Sequence, residues 1–181
     1  MAGTNIQLVS EQIFNTGDTD FRTIISKAKS SNPSILIIEG FSPEIDILAK
    51  QLKEAKISMP ITTINAFELS KQKDLFEGYW YVYTADPTVE FAKHFQDVYN
   101  NREITMGVSN AYDAVNLIVT AAEKSTSQTK PSTSFIVDEL MKVKDFKGAL
   151  GSLTIDKDGI VISLPVVRII KNGKPVSMPK L

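Results

Sequence analysis

Ile35-Leu36-Ile37-Ile38-Glu39-Gly40-Phe41-Ser42-Pro43-Glu44-Ile45-Asp46-Ile47-Leu48-Ala49-Lys50-Gln51-Leu52 joins two hydrophobic periods in one stretch. The four aliphatic residues at its start form an unbroken apolar run, the pattern of a parallel strand covered on both faces. After Gly40 the apolar residues move to helical spacing at Ile45, Leu48, Ala49, Leu52 and Ala55. Ser42 stands at the N-cap position and Pro43 at the first helical position. A strand feeding a helix in this way is half of a βαβ unit.

Outward from this stretch the cycle repeats. Upstream, Ile6 to Phe14 reads as a strand. Thr16-Gly17-Asp18-Thr19-Asp20 then supplies turn and capping chemistry for a helix with Phe21, Ile24, Ile25 and Ala28 on one face, which Ser31-Asn32-Pro33 ends. Downstream, a strand is expected over Ile61 to Ile64, a short helix over Phe67 to Leu75 and a strand over Tyr79 to Thr84. An Asp86-Pro87 cap then opens a helix with Phe91, Phe95, Val98 and Tyr99 along one side. Alternation at this pitch predicts an α/β fold, a three-layer parallel sheet with right-handed crossovers.

The pattern changes after the polar run Asn100-Asn101-Arg102-Glu103. From Val108 to Lys124 the helical residues Ala111, Ala114, Val115, Leu117, Ile118, Val119, Ala121 and Ala122 cover most of the circumference, so the helix calls for cover on several sides. Ser125 to Ser134 is a loop, and a helix with Phe135, Ile136, Leu140, Met141 and Val143 follows. The remainder is β: Gly151 to Ile155, a turn at Asp156-Lys157-Asp158-Gly159, Ile160 to Ile170, a turn at Asn172-Gly173, then Pro175 to Met178, making a C-terminal β-hairpin.

The 181 residues carry 20 Lys+Arg against 21 Asp+Glu and 43% hydrophobic residues, enough for a packed core and without a basic footprint for nucleic acid or an anionic membrane. With no Cys and one His, thiolate chemistry, Cys-held metal and His-based triads are excluded within the chain. His94 lies beside an aromatic helix stripe and reads as structural. Asp18 and Asp20 read as helix-capping groups rather than a cation site. A calcium loop beginning at Asp156 fails because its twelfth position is Val167. No G-x-G-x-x-G joins a strand to a helix and no phosphate loop occurs. The expectation is a protein that is not an enzyme, with no cofactor and no metal. The start, Met1-Ala2-Gly3-Thr4, has neither a basic nor an apolar segment of the kind a signal peptide needs, so an intact secretory precursor is not expected.

Open α/β sheets bind ligands beyond the C-terminal ends of their strands. Three such places are legible: Glu39-Gly40-Phe41-Ser42, Asn65-Ala66-Phe67-Glu68, and Thr84-Ala85-Asp86.

The run Ser109-Asn110-Ala111-Tyr112-Asp113-Ala114-Val115, followed by Phe146-Lys147-Gly148-Ala149-Leu150-Gly151-Ser152-Leu153-Thr154-Ile155-Asp156-Lys157-Asp158-Gly159, resembles the C-terminal half of type I periplasmic solute-binding proteins. Within them it is most similar to the branched-chain amino-acid receptors of ABC transporters. Gly17-Asp18-Thr19-Asp20-Phe21, the Pro33 to Ile38 strand and the closing Val166 to Val176 agree in order. The resemblance implies a flavodoxin-like lobe, truncated, with residues 5–103 and 165–181 forming an incomplete lobe 2 and 107–162 a partial excursion into lobe 1. It implies a small-molecule ligand, an amino acid or related metabolite, taken between lobes by hinge closure, a membrane permease as partner, and a periplasmic or extracellular location. The alternatives are a ligand-sensing domain of a signalling receptor or regulator, and an enzyme of flavodoxin-like type. By resemblance, the ligand-binding residues are Gly40, Phe41 and Ser42 from one loop and Asn65, Ala66 and Glu68 from the next. The second loop of the family often carries an acid facing the ligand ammonium; here Asn65 or Ala66 stands in that place and Glu68 is the nearest acid. Missing cover for the helix Val108 to Lys124 further implies that the chain by itself associates into a homo-oligomer or swaps elements, and the lack of most of one lobe implies that it binds ligand weakly or not at all.

Overall fold

The computed structural model describes residues 5–126 and 130–178. The expected start at Met1 to Thr4 and the centre of the loop after Ser125 lie outside the described residues. The chain divides into two compact units, one comprising the described residues up to Tyr83 and from Val167 on, the other Thr84–Val166.

In the first unit, helix α1 (Arg22–Ser30) precedes β1 (Leu36–Ile37), α2 (Glu44–Glu54), β2 (Ile61–Thr62), α3 (Ala66–Leu69), a 3₁₀ turn (Lys73–Phe76) and β3 (Trp80–Tyr83). β1 and β2 are parallel, with Leu36 opposite Ile61 and Ile37 opposite Thr62, and a parallel bridge joins Ile64 to Val82. The chain returns to this unit as the antiparallel hairpin of β7 (Val166–Lys171) and β8 (Lys174–Ser177), with β7 beside β3. Glu77 fixes the hairpin turn by accepting from the amides of Asn172 and Gly173 at 2.9 and 3.1 Å. Those two hydrogen bonds to the ionised form hold the Glu77 carboxyl below the usual carboxylate range.

Side chains alternate across a sheet, so these registers sort them into two faces. On one face Ile38, Ile61, Thr63, Tyr81, Tyr83 and Ile170 are buried, in a core shared with Phe21, Ile25, Ile45, Leu48, Ala49, Leu52, Phe67 and Phe76. Phe67 stacks on Phe76 with ring centres 4.3 Å apart and meets Tyr81 edge-on at 5.5 Å. On the opposite face Ile35, Ile37, Ile64 and Trp80 are exposed, and in the hairpin Val167 and Val176 are exposed too. A parallel sheet ordinarily has both faces covered; here, among the described residues, Ile37 and Ile64 stand open on the second face although Thr62 between them is buried.

The second unit holds α4 (Val89–Val98), α5 (Val108–Glu123), α6 (Thr133–Leu140) and an antiparallel sheet of β4 (Phe146–Gly148), β5 (Gly151–Ile155) and β6 (Val161–Ile162). Ala85, Leu117, Leu150 and Leu153 form its buried cluster, with Leu140, Val143 and Phe146 packed against it. α5 buries a single stripe at a spacing of four: Ser109, Asp113, Leu117 and Ala121. Tyr112, Val115, Ile118 and Val119 remain exposed, Val115 by 61%. α6 is joined to α5 by Glu139, which contacts both Lys124 and Lys142; these lower its pKa. Among the described residues no helix is long and apolar enough to cross a membrane.

Several expectations need correction. Ile6 to Phe14 forms no strand, and Ile6, Leu8, Val9 and Ile13 are exposed, because no described strand gives this segment a ladder. α2 has Pro43 as its N-cap residue and no side-chain cap, since the Ser42 hydroxyl donates to Asp46 instead. The helix expected over Phe67 to Leu75 divides into α3 and the 3₁₀ turn, with Ser70 extended between them. Thr88, not Asp86, caps α4 by accepting from the Phe91 amide at 3.2 Å. Ile160 to Ile170 is two strands, because Pro165 has no amide to give a ladder. β4 was not anticipated. Residues 84–103 fall in the compact unit Thr84–Val166, where the Thr88 amide donates to the Ala149 carbonyl at 2.7 Å and the Phe91 ring lies 4.9 Å from that of Tyr112.

Candidate functional site

The turn that follows β1 sits against the irregular segment before α1, and between them lies a cavity of about 500 Å³. Gln12, Ile13, Phe14 and Thr16 line one side; Glu39, Gly40, Phe41, Ser42, Pro43 and Glu44 line the other. This is the strand-end position where open α/β sheets place ligands.

Each wall has a local cause. Gly40 allows close approach, since a Cβ there would come within 2.9 Å of the Phe14 ring. Phe14 is itself braced edge-on against Phe21 at 5.1 Å. Glu44, in the first turn of α2 and buried, accepts from the Gly17 amide at 2.7 Å and ties the two walls together. Gly17 has φ +92°, backbone that a side chain would strain. Glu39 is exposed, and its Oε1 accepts from Thr63 Oγ1 at 2.9 Å and from the Ile64 amide. Phe41 is 71% exposed at the rim. The peptide between Ser42 and Pro43 is cis.

Of the residues anticipated from sequence, Gly40, Phe41 and Ser42 line this cavity; Asn65, Ala66 and Glu68 do not. Ser42 Oγ donates to Asp46 Oδ2 at 2.6 Å, and Ser70 Oγ donates to Asp46 Oδ1 at 2.5 Å, so this hydroxyl fastens α2 to the end of α3. Ala66 is buried in the core. Asn65 has left-handed backbone, φ 69°, and its Oδ1 is buried without a hydrogen-bond donor among the described residues. Glu68 is engaged elsewhere, 2.5 Å from both Arg168 Nη1 and the Tyr81 hydroxyl. Burial, then the hydrogen bond to Glu68, pushes the Tyr81 phenol far up. Thr84, Ala85 and Asp86 do not line the cavity either. Glu39 falls in the first of the three strand-end loops legible in the sequence, outside the residues singled out as ligand-binding; Gln12, Ile13, Phe14, Thr16, Pro43 and Glu44 of the lining are not foreseen there. Glu39 carries a signal, being the first residue after the apolar strand; the segment 12–16 carries none while it reads as a strand. Among the described residues no group of three carboxylate or imidazole side chains is arranged to hold a metal.

The model of the periplasmic binding protein family matches residues 2–174. The chain belongs to that family, and its fold is that of the type I periplasmic binding proteins. It is 28% identical to a leucine-binding protein, LivK, from Thermotoga maritima, over 91% of this chain and 49% of that one, with a TM-score of 0.77. It is 26% identical to the branched-chain amino-acid transporter substrate-binding protein LivJ from Streptococcus pneumoniae, solved with isoleucine, over 91% and 51%, with a TM-score of 0.68. An ABC-transporter substrate-binding protein from Desulfitobacterium hafniense, solved with Leu, shares the fold at 21% identity and a TM-score of 0.69, over 91% and 49%. The chain thus spans about half the length of the solved structures it matches. No curated protein matches it.

Proposed function

We propose that the chain is part of an extracytoplasmic solute-binding component of an ABC transporter, a protein that binds and delivers rather than transforms. The ligand is a small polar molecule, an amino acid or related metabolite, and the receiving partner is a membrane permease. The observation that carries this reading is the cavity beyond the end of β1, in a chain whose family and fold are those of such receptors.

The mechanism is a population shift. A ligand that touches two lobes only when they are shut favours the shut state by that difference in affinity, and a permease that recognises the shut form receives only loaded protein. In this reading residues 5–83 and 167–178 belong to one jaw and residues 84–166 to part of the other. Gly40, Phe41 and Ser42 face the ligand, with Asn65, Ala66 and Glu68 supporting the neighbouring strand end. With half the length of a whole receptor the chain binds weakly, and its bare β-sheet face and α5 face draw copies of it together.

The test is two-dimensional NMR of the chain against a panel of amino acids at millimolar concentration. Shifts at the Gly40, Phe41 and Ser42 amides are expected, with affinity weaker than micromolar. A panel that moves no amide overturns the reading.

A further inference from the structure

The sheet of the first unit ends differently on its two sides. Its order runs β1-β2, then through the Ile64–Val82 bridge to β3-β7-β8, so β1 and β8 are its edges. β8 carries Lys174 and Pro175, a charge and a residue without an amide, two of the devices by which natural sheets discourage a further strand. The β1 edge has neither: Ile35, Leu36, Ile37 and Ile38 are all aliphatic. The Leu36 and Ile38 amides donate to the Pro60 and Thr62 carbonyls at 2.9 and 3.0 Å. By alternation Ile35 and Ile37 therefore aim amide and carbonyl away from β2, to a side where no described strand meets them. A ladder stands open there.

The same chain holds the counterpart. Residues 6–14 have the composition of a strand, with Ile6, Leu8, Val9 and Ile13 exposed, and their backbone groups have no hydrogen-bond partner among the described residues. One end of this segment is fixed: Phe14 lies against Gly40, and the Gly17 amide just beyond donates to Glu44. Between that end and the turn after β1 lies the cavity of about 500 Å³, so in its own copy the segment is held near the β1 edge without joining it.

We propose that the β1 edge receives residues 6–14 of a second copy as an added strand, each copy lending its segment to the other. An open edge takes an extended chain by main-chain hydrogen bonds, and the strand that lacks a ladder and the ladder that lacks a strand occur together in one polypeptide. Reciprocal exchange of like elements closes about a two-fold axis and satisfies both copies at once. The aliphatic side chains of the arriving strand come to lie beside Ile37, which is exposed on the sheet face. The exchange does not depend on solute binding. It gives the association of copies, favoured by their uncovered faces, a defined contact at β1.

The chain has no cysteine, so single cysteines report without background. Leu8→Cys and Ile37→Cys chains, mixed and treated with a short bismaleimide, are expected to give a cross-link from position 8 to position 37 at least fivefold more abundant than either same-position product. Adding Ile6→Pro and Val9→Pro to the Leu8→Cys chain removes amide donors on both sides of the segment. Neither amide is hydrogen-bonded in its own copy, so the urea midpoint is expected to hold while the cross-link disappears. A cross-link that survives these prolines, a dominant product between two positions 37, which is edge against edge, or no cross-link between copies overturns the proposal. Hydrogen exchange separates exchange between copies from closure within one: the Ile37 amide is expected to gain protection as protein concentration rises, and full protection already present in the dilute monomer overturns the proposal as well.

Discussion

Arg168 and Glu68, 100 residues apart in sequence, meet at 2.5 Å with both side chains largely buried. The guanidinium also lies 3.9 Å above the Tyr83 ring, so β7 is held by charge and by an aromatic face at once. Glu68→Ala leaves that guanidinium without its carboxylate in a poorly hydrated place, and a loss of about 3 kcal/mol is expected, read as a lower urea midpoint at unchanged slope. Tyr81→Phe removes one hydrogen bond from the same carboxylate, with an expected loss of about 1 kcal/mol.

The pH dependence has two limbs of known sign. Tyr81 has a raised pKa in the folded chain, so its contribution is present below the ordinary tyrosine value and is lost as pH rises above about 10 toward the folded value. Glu77 has a lowered pKa, so its contribution is present above the ordinary carboxylate value and is lost as pH falls through the folded value. Thermal melts from pH 3 to 11 are expected to decline at both ends. Tyr81→Phe should flatten the alkaline limb and Glu77→Gln the acid limb.

Asp113 is a buried carboxylate on α5 that accepts from the amides of Ala149 and Leu150 at 2.5 and 3.0 Å. Asp113→Ala strands two buried donors and is expected to cost about 3 kcal/mol. Hydrogen exchange should quicken first at those two amides. Gly148→Ala is expected to act in the same direction, because its Cβ would stand 2.6 Å from the Asp113 carboxyl.

Light scattering is expected to show mass rising with protein concentration, through the uncovered faces of the first unit's sheet and of α5. Val115→Lys puts a charge on a residue already 61% exposed and should suppress the association with little change in the urea midpoint. A monomer at every concentration would remove self-association from the proposed behaviour.

Where hydrophobic period was strong, the sequence was a good guide. The apolar run at Ile35 to Ile38 became β1, and the stripe Ile45, Leu48, Ala49 and Leu52 became the buried side of α2. The two hairpin turns fell at Asp156 to Gly159 and Asn172-Gly173. The nearly all-apolar pattern of 108–124 also told the truth, for the helix has more greasy surface than its neighbours cover. Ile6 to Phe14 misled because alternation describes a willing strand and says nothing of a partner. That error concealed most of one wall of the cavity, since Gln12, Ile13 and Phe14 line it as an irregular segment. Ser42 and Glu68 look free in a sequence. In the structure Asp46, four residues on, takes the one, and Arg168 with Tyr81 takes the other, a contact between elements that no local pattern encodes.

The first compact unit is made of two stretches of chain with the second unit inserted between them. During synthesis, Thr84–Val166 can settle while it is still being followed by the rest. The earlier strands must wait on the ribosome with their edge at β3 open until Val166–Ser177 emerges to zip against it. Nascent-chain arrest just short of Val166 therefore ought to yield a protease-sensitive first unit beside a protected second one, a vectorial order of assembly written into the return of the final hairpin.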